Sequence, residues 1–327
     1  MKKIIANILI AVASTVVGIL VFLLLGWGIL FIAKYPIYFD YFLVKSDLCK
    51  NPGLSDGFVC QGICIDDNSG RVFVSGYMKD DSPSRIYVTD TDNNSYYVSV
   101  VYGSGKEFTG HSGGIAVSRG TAYISSGDNI YAIPVSSILN ASNGDSVSIS
   151  KIIPVNNEAS FIYADENYVY VGEFHDGGKY ITEHPYYDPE DGLNYAIVSR
   201  YLAEDVEAFK KGGTIAPDRI YSIRNKVQGI CFAEGKVVMS TSYGLADSVY
   251  YVYDESKATD SGMTLDGAPI YFLGECEREL SGPAMAEGLE YYKGEVITLT
   301  ESASDKYIFG KFFFANKIVS LDLLGEK

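Results

Sequence analysis

The 327-residue chain has a net charge of −15, from 41 acidic and 26 basic residues, and this balance argues against a nucleic-acid partner because phosphates would be repelled. Its 47% hydrophobic content is ordinary for a globular protein. The 27 Tyr and 33 Gly beside only 10 Pro favour short strands joined by tight turns. Together these numbers predict an all-β body.

The N-terminal segment differs from the rest, because residues 4–33 carry no charge. About 20 apolar residues span a bilayer, whereas the core of a cleaved signal peptide has about 7 to 15. An uncleaved transmembrane signal anchor is therefore predicted. Lys2 and Lys3 precede the span, so the positive-inside rule places the N-terminus in the cytoplasm. We expect residues 1–34 to form a cytoplasmic stub and anchor, and residues 35–327 an extracellular domain.

Beyond the anchor, one unit recurs five times: an apolar strand, a turn, a second strand and a third strand rich in Tyr. The first strands read "QGICID", "GGIAVS", "SFIYAD", "QGICFA" and "EGLEYY", and their equivalent positions are 52, 47, 68 and 59 residues apart. Four-stranded propeller blades repeat about every 40 to 50 residues, plus insertions. The fold is predicted to be a five-bladed β-propeller. A six-bladed propeller is the alternative, if the third unit contains a further blade.

Closure of the propeller requires a strand from outside the repeats. Fourth strands are predicted in four units, including "APIYFLGE" in the fourth, but the fifth unit ends without one. The segment "YPIYFDYFLV" (residues 35–44) is expected to supply it, so that residues 35–47 close the last blade. A fourth strand would start at the face opposite the channel mouth. The anchor is therefore expected to join that far face, with the mouth directed away from the bilayer.

A binding site is predicted at the mouth of the central channel, where first strands begin and second strands end, because neighbouring strands are antiparallel. All three histidines fall on this face. The candidate ligand-binding residues are Gln61, His111, Glu173, His175, His184, Gln228, Tyr243, Glu287 and Glu301.

Two features of this mouth leave alternatives open. The insertion 174–195 is either a lid that grips a ligand or a loop that packs over its own blade. Glu173, Glu287 and Glu301 are candidate ligands for Ca²⁺, which takes 6 to 8 oxygen ligands; the alternative, which we favour, is that Glu173 and Glu287 hydrogen-bond the backbone of neighbouring blades. No other cofactor is indicated.

The five cysteines follow no metal-binding spacing. Cys64 and Cys231 occupy the same place in the two QGIC strands and are expected to be small buried residues. A disulfide among Cys49, Cys60 and Cys276 is left open.

The segments "VQGICFAEGKVVMSTSYG" and "MAEGLEYYKGEVITLTESASDKY" resemble bacterial secreted or membrane-anchored propeller proteins. More distantly, residues 58–323 are similar to gluconolactonase-like and strictosidine-synthase-like propellers and to five-bladed calcium-activated nucleotidases. The shared motifs form blades, and no catalytic motif of those enzymes matches positions in this chain.

Two functions are consistent with these observations. The preferred one is a membrane-anchored extracellular propeller that binds a cell-surface, glycan, peptide or protein ligand at its mouth. The alternative is a hydrolase of the lactonase, esterase or nucleotidase type, in which carboxylates at the same mouth act with Ca²⁺ or as an acid and base pair.

Overall fold

A computed structural model describes residues 2–313 and 315–325. The chain begins with helix α1 (Lys2–Lys34), followed by a short helix α2 (Phe39–Val44) and strand β1 (Lys45–Lys50). Within α1, the segment Lys3–Gly26 is long and apolar enough to cross a membrane, and it is not buried against the rest of the molecule.

The first two blades follow directly. Blade 1 consists of β2 (Phe58–Asp66), β3 (Arg71–Met78), β4 (Arg85–Thr89) and β5 (Ser95–Val101). Blade 2 starts with β6 (Gly114–Ser118), β7 (Thr121–Ser126) and β8 (Asn129–Pro134); after helix α3 (Val135–Leu139) and strand β9 (Ser146–Ser148), it ends with β10 (Lys151–Pro154).

Blade 3 consists of β11 (Phe161–Ala164), β12 (Tyr168–Gly172), β15 (Ala196–Leu202) and β16 (Arg219–Ile223), with the hairpin β13 (Tyr186–Asp188) and β14 (Gly192–Asn194) and helix α4 (Ala203–Ala208) inserted. Blade 4 consists of β17 (Val227–Ala233), β18 (Lys236–Thr241), β19 (Ser248–Asp254) and β22 (Cys276–Gly282); a 3₁₀ turn (Glu255–Lys257), β20 (Thr259–Leu265) and β21 (Ala268–Phe272) precede β22. Blade 5 consists of β23 (Ala286–Tyr292), β24 (Glu295–Thr300), β25 (Lys317–Leu321) and β1, with a 3₁₀ turn at Gly310–Phe313.

The chain therefore forms a five-bladed β-propeller, as predicted. The six-bladed alternative is wrong, since the extra length of the third unit forms the β13–β14 hairpin and α4 instead of another sheet. Apolar side chains between neighbouring blades build the core. Cys64 and Cys231 are buried there as predicted, and all five cysteines are free thiols.

Glycines line the centre of the propeller because the innermost strands approach one another closely. A Cβ atom added to Gly62 would lie 2.4 Å from the backbone nitrogen of Ile115 in the next blade. One added to Gly229 would lie 2.8 Å from the Cα atom of Gly288. Real Cβ atoms do not approach backbone this closely, so these positions require glycine. This contact explains the glycine of each QGIC strand.

Blade 3 has a different residue at this central position. It has Phe161 at the position where the other four blades have glycine. The residue opposite Phe161 on β12 is Gly172, and a Cβ atom there would lie 2.0 Å from the Phe161 ring. The ring thus occupies the space that a side chain on β12 would otherwise need.

The closing strand comes from the N-terminal side, but from different residues than predicted. Strand β1 pairs antiparallel with β25, with Lys45 opposite Leu321 and Lys50 opposite Lys317. Residues 39–44, expected as part of that strand, form helix α2. Tyr41 of this helix is buried and stacks on Tyr250, with ring centroids 6.4 Å apart. Packing of α2 against blade 4 overrides the strand propensity of its aromatic residues.

One fourth strand was also assigned wrongly from sequence. Strand β21, predicted for blade 4, instead pairs in parallel with β16 at the outer edge of blade 3, and β22 completes blade 4. The fourth strand predicted for blade 2, "VSISKIIPV" (residues 147–155), is divided: its second half, β10, completes blade 2 as predicted, whereas its first half lies in β9, which pairs with β5 of blade 1. Outermost strands leave one row of backbone groups unpaired, so an extra strand can add there and protect the edge.

The predicted attachment of α1 to the far face is wrong. We call the face where first strands begin and second strands end the mouth face, and the opposite one the far face. Lys34, the last residue of α1, and Tyr38 both donate hydrogen bonds to Asp247, which lies between β18 and β19 on the mouth face. From there α2 leads along the side of the propeller to the start of β1 at the far face. Helix α1 therefore joins the propeller at the mouth face.

Candidate functional site at the channel mouth

Three β-bulges direct polar side chains toward the channel. The register of the first strand shifts at Gln61 in blade 1, at Gln228 in blade 4 and after Ala286 in blade 5, where Glu287 follows. A bulge adds an unpaired residue and re-aims its side chain. Each of these polar residues precedes one of the central glycines. The repeated pair, Gln or Glu followed by Gly, thus combines a channel-facing side chain with close blade contact.

A cavity of about 530 Å³ opens at this mouth. It is lined by six of the nine predicted residues, namely Gln61, His111, Gln228, Tyr243, Glu287 and Glu301. Its further side chains include Tyr77, Glu158, Phe174, Tyr180, Met285, Lys306 and Tyr307. The wall therefore combines aromatic rings with carboxyl, amide and imidazole groups.

A hydrogen-bonded chain crosses from blade 2 to blade 5. The Gln61 amide nitrogen donates to Glu301 Oε2 at 2.8 Å, and its oxygen Oε1 lies 2.7 Å from His111 Nε2. The His111 ring packs on Tyr77, with centroids 4.5 Å apart. Burial lowers the pKa of His111 to about 4, and the nearby charges of Lys306 and Lys179 act in the same direction. His111 is therefore neutral near pH 7, and its Nε2–H donates to Gln61.

Two glutamates form the acidic part of the cavity. Glu287 is 2% exposed, and its Oε1 accepts a long hydrogen bond of 3.4 Å from Gln228. Burial raises the pKa of Glu287 well above its usual range, and the charge of Glu301 raises it further. Burial also raises the pKa of Glu301 to about 7, although Tyr307 and Gln61 hydrogen-bond its carboxyl. The pair therefore holds a proton near neutral pH.

Aromatic side chains surround this polar centre. Phe174 lies between Tyr180 and Tyr243, at centroid distances of 5.5 and 6.0 Å. On the other side, the Lys306 ammonium lies 4.5 Å from the Tyr77 ring centroid and hydrogen-bonds its hydroxyl. Flat rings around buried acceptors suit a ligand that has both apolar faces and hydrogen-bond donors.

The sequence reasoning missed Lys306 and Tyr307, which belong to the β24–β25 connection. We call this connection, residues 301–316, the blade 5 loop. Its 16 residues exceed the usual length of a hairpin connection, and that length was the available signal. The expected lid, residues 174–195, contributes only Phe174 and Tyr180 to the cavity.

The other three predicted residues, Glu173, His175 and His184, lie outside the cavity lining and organise the β12–β15 connection. Glu173 is buried, and its Oε2 is 2.9 Å from His184 Nδ1 and 3.2 Å from the backbone nitrogen of Ile197. The hydrogen bond to Glu173 raises the pKa of His184. The buried His175 accepts a hydrogen bond from the backbone nitrogen of Thr182. These contacts favour the interpretation of the insertion as a loop that packs over its own blade.

The carboxylates proposed as calcium ligands are not gathered in one place. Glu287 and Glu301 line the cavity, whereas Glu173 is engaged with His184. Among residues 2–313 and 315–325, no group of three or more His, Cys, Asp or Glu side chains is arranged to hold a metal ion.

No protein-family model and no curated protein matches this chain. Similar solved structures include a putative glucose dehydrogenase of Thermus thermophilus, with 9% identity, a TM-score of 0.43 and coverage of 85% of this chain and 99% of that one. The WD40 β-propeller domain of Doa1 has 11% identity, a TM-score of 0.39 and coverage of 78% and 79%. The hydrazine synthase of Kuenenia stuttgartiensis has 11% identity and a TM-score of 0.37 over 74% of this chain, which spans 56% of that protein.

Proposed function

We propose that this protein is a membrane-anchored extracellular propeller that binds a glycan or peptide ligand in the cavity at its mouth. The proposal rests on one observation: a single cavity lined by aromatic rings brings together four polar side chains, Gln61, Gln228, Glu287 and Glu301. Carboxyl and amide oxygens accept hydrogen bonds from hydroxyl or ammonium groups, and the tyrosines offer flat surfaces for sugar rings or peptide planes.

The anchor in this proposal is α1, whose apolar segment Lys3–Gly26 has the length for one membrane crossing. Lys2 and Lys3 support a cytoplasmic N-terminus through the positive-inside rule. The propeller would then be extracellular. Labelling Asn68→Cys, in an exposed turn, with an impermeant maleimide on intact cells tests this. Reaction only after cell lysis would contradict the extracellular location.

Ligand binding is tested on a glycan and peptide array with the full chain in detergent. Gln228→Ala and Glu287→Gln should abolish binding to the ligands that the unmodified protein retains, because both remove groups from the cavity. Glu183→Gln, an exposed change on the same face, is the matched control. Equal binding by all variants would place the ligand elsewhere on the surface, and no binding by the unmodified protein would count against the proposal.

Hydrolysis is the second candidate, and one observation favours it. Glu287 and Glu301 share a buried cavity with raised pKa values, which is how enzymes keep one carboxyl as an acid beside a carboxylate base. Turnover of chromogenic lactone, ester or nucleotide substrates that is lost in both Glu287→Gln and Glu301→Gln would support it. For the calcium-assisted version, the melting temperature should rise with millimolar Ca²⁺, and an unchanged value would contradict it.

A further inference from the structure

We propose that the mouth face docks onto the bilayer that holds α1, with the connections between second and third strands of blades 3, 4 and 5 seated at the lipid surface. The inference rests on the proposed membrane anchoring. It reverses the orientation expected from the sequence, in which the mouth pointed away from the membrane.

The first step is the path of the chain. Asp247 accepts hydrogen bonds from Lys34 and Tyr38, so the end of α1 is fastened to the β18–β19 connection on the mouth face. Tyr38 is buried, and Tyr41 then packs beside Gly282, where β22 ends on the same face. A helix that spans the bilayer and ends here must bring the mouth face close to the lipid headgroups.

The second step is the depth of the blade 5 loop. Its 3₁₀ turn, Gly310–Phe313, contacts α1. Between them lies an apolar cavity of about 620 Å³, whose lining includes Phe22, Leu23 and Gly26 from α1 and Phe313 from the loop. These α1 residues belong to the segment with the length and composition of a membrane span. The loop therefore reaches the level at which α1 would leave the hydrocarbon region.

The third step is the distribution of exposed apolar side chains. Ile308 is 76% exposed, Ile181 65%, Leu245 49% and Leu193 48%. All four lie between the second and third strands of their blades, on the mouth face. Among the large exposed hydrophobic residues that the structure describes beyond α1, those between residues 35 and 43 belong to the linker and α2, and of the rest only Ile152 and Met263 lie away from the mouth face. Apolar residues gathered around one face indicate an interaction surface.

The surroundings of these side chains fit a lipid headgroup region. The ammonium groups of Lys179 and Lys226 lie 4.8 and 5.9 Å from the rings of Tyr180 and Tyr243. Tyrosine and lysine are enriched at membrane interfaces, where ring and aliphatic stem meet lipid while the polar tip stays hydrated. In contrast, the corresponding connection of blade 1, residues 79–84, has no exposed large hydrophobic side chain. We therefore expect the part of the mouth face formed by blades 3 to 5 to contact the lipid.

Depth-dependent fluorescence quenching tests the docking. The full chain, with Cys276→Ser to remove its half-buried thiol, is labelled at a single introduced cysteine with an environment-sensitive dye. It is then reconstituted in phosphatidylcholine–phosphatidylglycerol vesicles containing spin-labelled lipids. Ile308→Cys and Leu245→Cys should show strong quenching and blue-shifted emission. Asn68→Cys, on the far face, is the matched control: its dye should emit as in water and should not be quenched by the spin-labelled lipids.

A dye at Val21→Cys, within the apolar segment of α1, tests the anchoring independently of the docking. If Val21→Cys is quenched but Ile308→Cys and Leu245→Cys behave like Asn68→Cys, the anchor stands and the docking is overturned. If Val21→Cys is itself unquenched, anchoring is wrong and the docking fails with it. Quenching of Asn68→Cys as strongly as Ile308→Cys would also refute docking by the mouth face.

Discussion

Gln61 links two blades through the two ends of a single amide. Its nitrogen faces Glu301 and its oxygen faces His111, and an amide turned by 180° would place an oxygen against the carboxyl group. The neutral imidazole must then carry its proton on Nε2 to complete the chain. One side chain thus fixes the tautomer of His111 and supplies a donor to Glu301 at the cavity wall.

The first prediction concerns the raised pKa of Glu301, about 7 against an ordinary 4.5. Because the folded protein binds this proton more tightly than the unfolded chain, the resulting stabilisation is complete below pH 4.5 and is lost as the pH rises through about 7. Between about pH 5 and pH 8, the unmodified protein should lose about 1 to 3 kcal/mol of unfolding free energy that Glu301→Gln does not lose.

Denaturant unfolding across this pH range measures the difference. His111 has a lowered pKa, so its contribution to the free energy of unfolding has the opposite pH dependence: it is present above pH 6.5 and is lost as the pH drops toward 4. It is present in both proteins and cancels in the comparison. Glu183→Gln, an exposed change on the same face, should follow the unmodified protein. Parallel pH profiles for Glu301→Gln and the unmodified protein would show that this carboxyl is not perturbed by burial.

At the scale of strands, the central glycines control how closely the blades approach. Gly62→Ala would place a methyl group 2.4 Å from the backbone of the next blade, where only backbone movement relieves the clash. We expect a loss of about 2 to 4 kcal/mol, or failure to fold. Gly103→Ala is the control, because its nearest neighbour would be 3.6 Å away. Melting temperatures measure both, and an unaffected Gly62→Ala protein would mean that the blades are farther apart than described.

The strand order shows what sequence periodicity could and could not predict. Inner strands such as β2 and β17 repeat with a fixed pattern because both of their faces are buried and their Gly positions touch the next blade. Outer strands carry no such constraint. "PIYF" therefore occurs once as Pro36–Phe39, ahead of and into α2, and once in β21 of blade 3. Local sequence alone does not distinguish these two environments.

Residues of the candidate site could likewise be predicted where they lie in or directly after inner strands, but not where they lie in long connections. Gln61, Gln228 and Glu287 could be placed at the mouth because they lie in innermost strands with regular spacing, and Glu301 because it directly follows the second strand of blade 5. Lys306 could not be placed, since it lies in a long connection whose path depends on contacts with α1 and blade 1. Nor could the burial of His175, because Thr182, which hydrogen-bonds its ring, and Tyr195, whose ring stacks on it, belong to the long insertion.

The closing strand gives a second prediction at this scale. Strand β1 pairs with β25 along its whole length, so replacing residues 45–50 with Gly and Ser should leave β25 as an exposed edge. Exposed edges recruit other chains, and we expect a lower melting temperature and association detected by light scattering. The same replacement at residues 140–145, in the connection after α3, should have little effect. A stable monomer lacking the β1 sequence would contradict closure by this strand.

At the scale of the whole molecule, a small cluster joins the end of α1 to the mouth face. Asp247 accepts hydrogen bonds from both Lys34 and Tyr38, and burial raises the pKa of Tyr38 well above its usual range, so its hydroxyl remains a donor. Because the linker between α1 and the propeller is short, we expect this cluster, together with the contact between α1 and the blade 5 loop, to hold the end of the helix at the mouth face. If α1 spans a bilayer and the mouth face docks on it, as proposed, a ligand of the cavity has to approach along the membrane surface.

The last prediction follows from that cluster. Asp247→Ala removes the shared acceptor, and the buried Tyr38 hydroxyl should then lose about 1 to 3 kcal/mol of favourable interaction. The propeller should remain folded, but the dye at Ile308→Cys should be quenched less by spin-labelled lipids, while the dye at Val21→Cys is unchanged. Asp218→Ala, which removes the ion pair with Arg200 on the far face, is the matched control and should alter neither probe. If Asp247→Ala leaves quenching at Ile308→Cys unchanged, the contact between α1 and the blade 5 loop, and not this cluster, fixes the orientation.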